Sequence, residues 1–254
     1  MTTRMLSEDA WEHFALDTLG ELFWKPVPGP EIAPGSGERE SWAELVIPSR
    51  LREALYRFNP AVPRGYLDEA LALILAPSSQ DAITENYRIH RFLTEGFRGL
   101  TYIDDAGEEQ TPTIQLLSPE PSENDWLAAN QVTVVDGEHE RRFDVVLYLN
   151  GMPVGVIELK RAGAARADVA AAHAQLQTYL REFPLVFRFA VMAVASDGIT
   201  AKYGTPFTPL NHFAPWNVDD DGAVLSVDDL DGDVTALDLT LHGLFEQGRF
   251  LQFV

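Results

Sequence analysis

The chain has 254 residues, 46% of them hydrophobic and 23% charged, with 39 acidic against 19 basic side chains, a net charge of −20 and no cysteine. That length and balance give one good hydrophobic core, or a large domain with a small appendage, and the missing cysteines exclude disulfides, thiolate metal sites and cysteine nucleophiles. No apolar run reaches bilayer-spanning length and the amino-terminal MTTRMLSEDAWEHF has no signal-peptide core, so a cytoplasmic location with no membrane partner is expected.

Ser7 is a good helix N-cap, with Glu8 and Asp9 in the first turn and Trp11, Phe14, Ala15, Leu19 and Leu22 at helical spacing, which predicts a helix over 8–23. Glu8 reads as a partner of the helix dipole. Residues 25–40, KPVPGPEIAPGSGERE, are dense in Pro and Gly and read as a mobile loop. Helices are expected at 49–57, 66–75 and 79–95, the last carrying the clearest positive cluster, Arg88, His90 and Arg91, with Arg98 just beyond. From Gly99 the pattern changes to strands: LTYID, a turn at Ala106-Gly107, then TPTIQLL. Residues 124–130 read as a short helical or turn segment, followed by the strand QVTVV.

The stretch FDVVLYLNGMPVGVIELK, residues 143–160, reads as two apolar strands joined by a turn, and it carries Asp144, Glu158 and Lys160 among core-type residues. Charges inside buried strands are expensive unless they are paired or bound to a metal. Two carboxylates and an ammonium at a strand end suit a magnesium site, because hard cations take oxygen ligands. A two-residue turn at Asn150-Gly151 would pair Asp144 with Ile157 and send Glu158 to the opposite face. A shared metal therefore needs an odd-length loop or a bulge, and the expectation is that the simple two-residue turn does not form.

The next segment, ARADVAAAHAQLQTYLRE over 165–182, is an alanine-rich helix whose Gln175 and Tyr179 lie one turn apart, where they can meet the hairpin carboxylates. His173 on the same helix reads as a surface residue. LVFRFAVMAVAS, 185–196, reads as one fully buried strand. Residues 217–228, NVDDDGAVLSVD, approach a calcium-loop pattern but end in Asp and lack an entering helix, so they read as an acidic surface loop. The final segment is amphipathic, expected as two helical pieces around Gly243 and Gly248, and it stops on an apolar end.

Asp144, then Glu158-Leu159-Lys160, then Gln175-x-x-x-Tyr179 resemble the PD-(D/E)xK nuclease core with its Q-x-x-x-Y extension, with Phe143 where the family's motif has proline. The surrounding NDWLAANQVTV, RRFDVVLYLNGMPVGVIELK and VASDGITAKYGTPFTPLNHFAPW are similar to the amino-terminal nuclease region of the R (restriction and translocation) subunit of type I restriction-modification enzymes. The resemblance implies an α/β fold, a mixed β-sheet flanked by helices with a restriction-endonuclease-like core. It implies an N-terminal helical part over 1–98, a nuclease core over 99–216, and a 217–254 segment leading to a motor domain. It also implies a metal-dependent endonuclease in which Asp144 and Glu158 hold Mg2+ (or Mn2+) and Lys160 orients water or steadies charge. Gln175 and Tyr179 support the site, a glutamate of the first helix, here Glu12, approaches the metal, and Arg88 and Arg91 are candidate DNA contacts. The implied partners are DNA, the methyltransferase and specificity subunits, and the subunit's own motor domains. ATP enters only through those motors, since no Walker A pattern occurs in this chain.

A net charge of −20 is awkward for DNA binding, which draws on Lys and Arg. A competing expectation is therefore a non-catalytic acidic module that docks on motor or DNA-binding subunits. Neither H-E-x-x-H, G-x-S-x-G nor G-x-G-x-x-G occurs, which argues against zinc hydrolase, serine hydrolase and dinucleotide chemistry.

Overall fold

The computed structural model describes residues 7–160, 169–219, 222–225 and 234–254. Helix α1 (Glu8–Glu21) begins where Ser7 caps it, the Ser7 hydroxyl accepting the Ala10 N–H at 3.2 Å, with Glu8 and Asp9 in the positive first turn. Trp11, Ala15, Leu16 and Leu19 form its buried stripe, and Glu12 is buried with them.

The segment 25–40 is not a free loop. Strand β1 (Lys25–Pro28) runs parallel to β4 (Trp126–Asp136), and a 3-10 turn follows over Gly29–Ile32. Arg39, 2% exposed, donates to the carbonyls of Glu44, Trp42 and Thr133, tying the segment to β4. Proline hides this strand from a composition argument, yet at the edge of a sheet a missing N–H costs little.

Helices α2 (Pro48–Phe58), α3 (Arg64–Leu75) and α4 (Ala82–Glu95) lie where the periodicity predicts them. Pro48 starts α2, where its lost N–H has no helical partner, and Asp81 caps α4 by accepting the Thr84 N–H at 2.8 Å. The expected strand after Gly99 does not border the main sheet. β2 (Tyr102–Ile103) and β3 (Glu109–Gln110) form their own small hairpin, closed by the Asp104 carboxylate on the Ala106 and Glu108 amides.

The main sheet has six strands in the order β1-β4-β5-β6-β7-β8, adding β5 (His139–Leu149), β6 (Met152–Leu159), β7 (Met192–Ser196) and β8 (Ala201–Gly204). β4, β5 and β6 are antiparallel neighbours, β6 and β7 are parallel, and helix α5 (Val169–Glu182) lies in the β6–β7 connection. Only the last part of 185–196 is strand. Pro184–Phe189 is a 3-10 helix whose end is held by the Asn86 amide, which donates to the carbonyls of Phe187, Arg188 and Ala190.

One face of the sheet packs on α1, α3, α4 and the C-terminal helices α6 (Ala236–Phe245) and α7 (Gln247–Phe250), and the other packs on α5 and the 184–189 turn. Trp24 is fully buried in the core on the first of these faces, donating to the Phe245 carbonyl at 2.7 Å and meeting Trp126, Phe245 and Phe250 edge-on. Residues from 1–98, 99–216 and 217–254 all contribute to that core. Residues 165–168 of the expected helix, and Asp221 and Asp228 of the calcium-like loop, lie outside the described residues. No helix among the described residues is long and apolar enough to cross a membrane.

Candidate nuclease site

The two-residue turn at Asn150-Gly151 does form, against expectation, with Leu149 paired to Met152 and φ values of 52° and 79°. Both are positive, as the tight hairpin turn requires. Asn150 tolerates this because its side chain is consumed: its Oδ1 accepts the Asp125 N–H, and its Nδ2 donates to Leu116 O and Asn124 Oδ1. The register changes further along, where Tyr148 pairs with Pro153 but Leu147 pairs with Gly155. Val154 is the extra residue of a β-bulge. With Val145 on Ile157, the register carried one step further sets Asp144 opposite Glu158. The bulge, not an odd-length loop, undoes the facing problem that the turn creates.

Asp144, 7% exposed, uses Oδ2 to accept the Leu159 backbone N–H at 2.7 Å, so a side chain replaces a ladder bond where β5 and β6 part. Glu158 is fully buried. Its Oε1 accepts from the Lys160 ammonium at 2.6 Å, and its Oε2 has no hydrogen-bond partner. Lys160 also donates to Glu8 Oε1 at 3.1 Å and to the Leu159 carbonyl at 2.9 Å. Glu8, read from sequence as a dipole partner alone, therefore also orients the lysine.

Burial raises the Asp144 pKa, and burial together with the Asp144 charge raises that of Glu158 well above the usual carboxylate range. Burial draws the Lys160 pKa down, but the Glu158 and Asp144 charges outweigh this and leave it raised. The carboxylates and the lysine are close enough that each one's titration depends on the charge of the others.

On α5, Gln175 donates to the Tyr179 hydroxyl, which donates to the Arg142 carbonyl at 3.1 Å, and the Tyr179 ring packs on Phe143. Burial and the Glu158 charge raise the Tyr179 pKa, so the phenol stays a neutral donor. Asp144, Lys160, Gln175 and Tyr179 line one cavity of about 1040 Å3 together with Glu8, Glu12, Gln131, Arg141 and Arg142, while Glu158 is buried and does not line it. Glu12, 3% exposed, accepts from the Gln131 amide on both oxygens and has its pKa raised by burial.

Arg88 and Arg91 do not line this cavity. They sit on α4, paired with Glu85 at 2.7 Å and Glu95 at 2.9 Å. His173 is neither at the site nor on the surface; it is buried on the Thr208 carbonyl and against Phe213. Sequence reasoning missed Arg142 and Gln131. The polar Asn130-Gln131 pair inside an otherwise apolar strand was the available signal for the second.

Among the described residues no group of three or more His, Asp or Glu side chains is arranged to hold a metal by itself. The Asp144–Glu158 pair still fits a hard divalent cation: its donors are all oxygen, one buried oxygen lacks any partner, and two adjacent buried carboxylates lack sufficient positive charge.

A mixed six-stranded sheet flanked by helices, with an acidic pair and a lysine where two strands part, is a restriction-endonuclease-like architecture. The family model for the type I restriction enzyme R protein N terminus matches residues 5–212, and the chain belongs to that family. It is 27% identical over 272 residues to the putative type I restriction enzyme MjaIXP endonuclease subunit of Methanocaldococcus jannaschii, covering 98% of this chain and 25% of that one. Against the type I restriction enzyme HindI endonuclease subunit of Haemophilus influenzae it is 28% identical over 257 residues, covering 98% and 24%. A shorter match, 33% over 81 residues, joins it to the SauCOLORF180P endonuclease subunit of Staphylococcus aureus, covering 32% of this chain and 8% of that one. The chain spans about a quarter of the length of the first two relatives.

Proposed function

We propose that this chain is the nuclease module of a type I restriction enzyme R subunit, hydrolysing DNA phosphodiester bonds without sequence specificity of its own. The cut follows ATP-driven translocation by motor domains outside this chain, in a complex with methyltransferase and specificity subunits. The observation that carries the reading is the bulge at Val154, which turns Glu158 to the side of Asp144 and leaves Glu158 Oε2 unpartnered.

Asp144 and Glu158 would hold Mg2+, with Mn2+ as a substitute, and the ion would offset charge on the scissile phosphate and make a nearby water more acidic. The chain's own residues do the rest. Lys160, charged and anchored on Glu158 and Glu8, presents an ammonium to the attacking water or to the phosphate oxygen that gains charge. The Tyr179 hydroxyl fixes the β5 backbone at Arg142 through its carbonyl, two residues before Asp144, so that carboxylate is held at a set depth.

Arg141 is tied to Glu182 at 2.7 Å, while no described residue pairs with the exposed Arg142 guanidinium at the cavity. Arg142 is the phosphate contact this geometry favours over Arg88 and Arg91. Local attraction from Arg142 beside Lys160 suits a chain of net charge −20, in which the grip on the duplex comes from other domains. The test is supercoiled-plasmid cleavage by the complete restriction complex carrying Lys160→Met, with ATP hydrolysis measured alongside. Cutting lost with ATP turnover kept supports the assignment; cutting at the wild-type rate refutes it and favours an acidic docking module.

A further inference from the structure

Strand β4 breaks its own rule at one residue. Leu127 and Ala129 face the α5 side, and strict alternation would place 131 and 133 there next, yet Val132 and Val134 take those places. The slip occurs at Gln131, whose φ is 55°, one of three non-glycine residues with positive φ among those described. The facing strand slips at the matching point. Phe143 shares a core with Val146 and Tyr148, while Val145, Leu147 and Leu149 face the other way. Register pairs Asn130 with Val145 and Val132 with Phe143, so Gln131 faces Asp144 across a position without ladder pairing.

A left-handed backbone in mid-strand is unfavourable for glutamine and persists only where the surroundings fix it. Here they do. Gly29 sits so close that a Cβ on it would lie 2.5 Å from the Asn130 carbonyl oxygen and 2.6 Å from that of Gln131. The kink aims the Gln131 amide at Glu12, with Nε2 at 2.5 and 2.6 Å from its two oxygens, and Asn130 Nδ2 approaches the second at 3.4 Å.

We infer that Gln131 is a positioning residue of the metal site: its left-handed backbone and its amide together hold the Glu12 carboxylate in the cavity that Asp144 also lines. This rests on the nuclease reading above. Without the amide, Glu12 keeps its place on α1, but its carboxylate loses the donors that fix its rotamer and saturate it, and it swings among the neighbouring polar groups.

The test is Mn2+ binding by this chain, followed through the free-ion EPR signal, with thermal melting of every variant. Gln131→Gly suits φ 55° better than glutamine does, so its melting temperature stays equal or rises, while Mn2+ affinity falls at least fivefold. Gln131→Asn also tolerates the left-handed backbone but is one methylene too short to reach Glu12, and it behaves the same way. Glu12→Gln matches them, and the double variant Gln131→Gly, Glu12→Gln binds no more weakly than either single one. Affinity within twofold of wild type in folded Gln131→Gly and Gln131→Asn, or fully additive losses in the double variant, overturns the inference. Asp144→Asn separates the two layers. If it abolishes binding while the Gln131 variants bind normally, only the positioning role fails. If it binds as wild type does, or wild type shows no saturable binding, the nuclease reading fails and takes this inference with it.

Discussion

The Asp144 carboxylate stands in for a backbone carbonyl toward Leu159: its Oδ2 takes the Leu159 N–H at 2.7 Å where the β5–β6 ladder ends. One oxygen thus holds the strands at their point of divergence. Asp144→Ala leaves that buried N–H without an acceptor and should destabilise the chain by about 1–3 kcal/mol in urea titrations. Asp144→Asn keeps an acceptor of the same shape and should lose less than half of that. Both should abolish cleavage in the assembled enzyme.

The Asn150-Gly151 turn fixes where the bulge falls, and Gly151 has no room for a side chain. A Cβ there would sit 2.4 Å from the Ile47 carbonyl oxygen, and its φ is 79°. Gly151→Ala should therefore cost about 2 kcal/mol or more, combining left-handed strain with backbone displacement. The check is thermal or urea unfolding, with Gly107→Ala as the comparison, since that glycine has positive φ but nothing within 4 Å.

Burial raises the pKa of Asp144 in the folded chain and, with the Asp144 charge, puts that of Glu158 well above the ordinary carboxylate range. The folded state therefore binds more protons than the unfolded one. The pair's stabilising contribution is fully present below the unfolded values of about 4 and is lost as pH rises through the raised folded values. Glu158→Gln removes the buried charge, so in metal-free buffer at neutral pH it should melt about 2–4 °C higher than wild type, corresponding to ~1 kcal/mol. The gap should close as pH falls towards 5, and differential scanning calorimetry across that range reads it.

Arg142→Ala should weaken binding of the assembled enzyme's nuclease domain to DNA and lower the salt-dependence slope by about 1, the signature of one lost phosphate contact. Arg91→Ala removes a guanidinium already paired with Glu95 away from the cavity and should leave both unchanged. Filter binding at several salt concentrations separates them.

The grouping of Asp144, Glu158 and Lys160, the Gln175–Tyr179 helix and the need for a register shift were all legible in the sequence, because charged residues inside apolar strands stand out and strand parity can be counted on paper. The means of the shift was not. A bulge at Val154 involves an ordinary strand residue, and nothing local distinguishes it from its neighbours. β1 was hidden by its prolines, which a parallel edge strand tolerates. The pairing of Arg88 and Arg91 was hidden for a different reason: a basic cluster on a helix says nothing about the acids three and four residues away, and here Glu85 and Glu95 pair with both arginines away from the cavity. Glu12 was reached by family resemblance, whereas its clasp by Gln131 depends on a positive φ that no residue pattern announces.

The central claim is that Asp144 and Glu158 hold one divalent ion between them. Isothermal calorimetry of Mg2+ into this chain, repeated in buffers of different ionisation enthalpy, counts the protons expelled per ion bound. The account predicts saturable binding with proton release that grows as pH is lowered from 8 to 6, and loss of both in Glu158→Gln. Absence of saturable heat in the wild-type chain, or equal binding by Glu158→Gln, would contradict it.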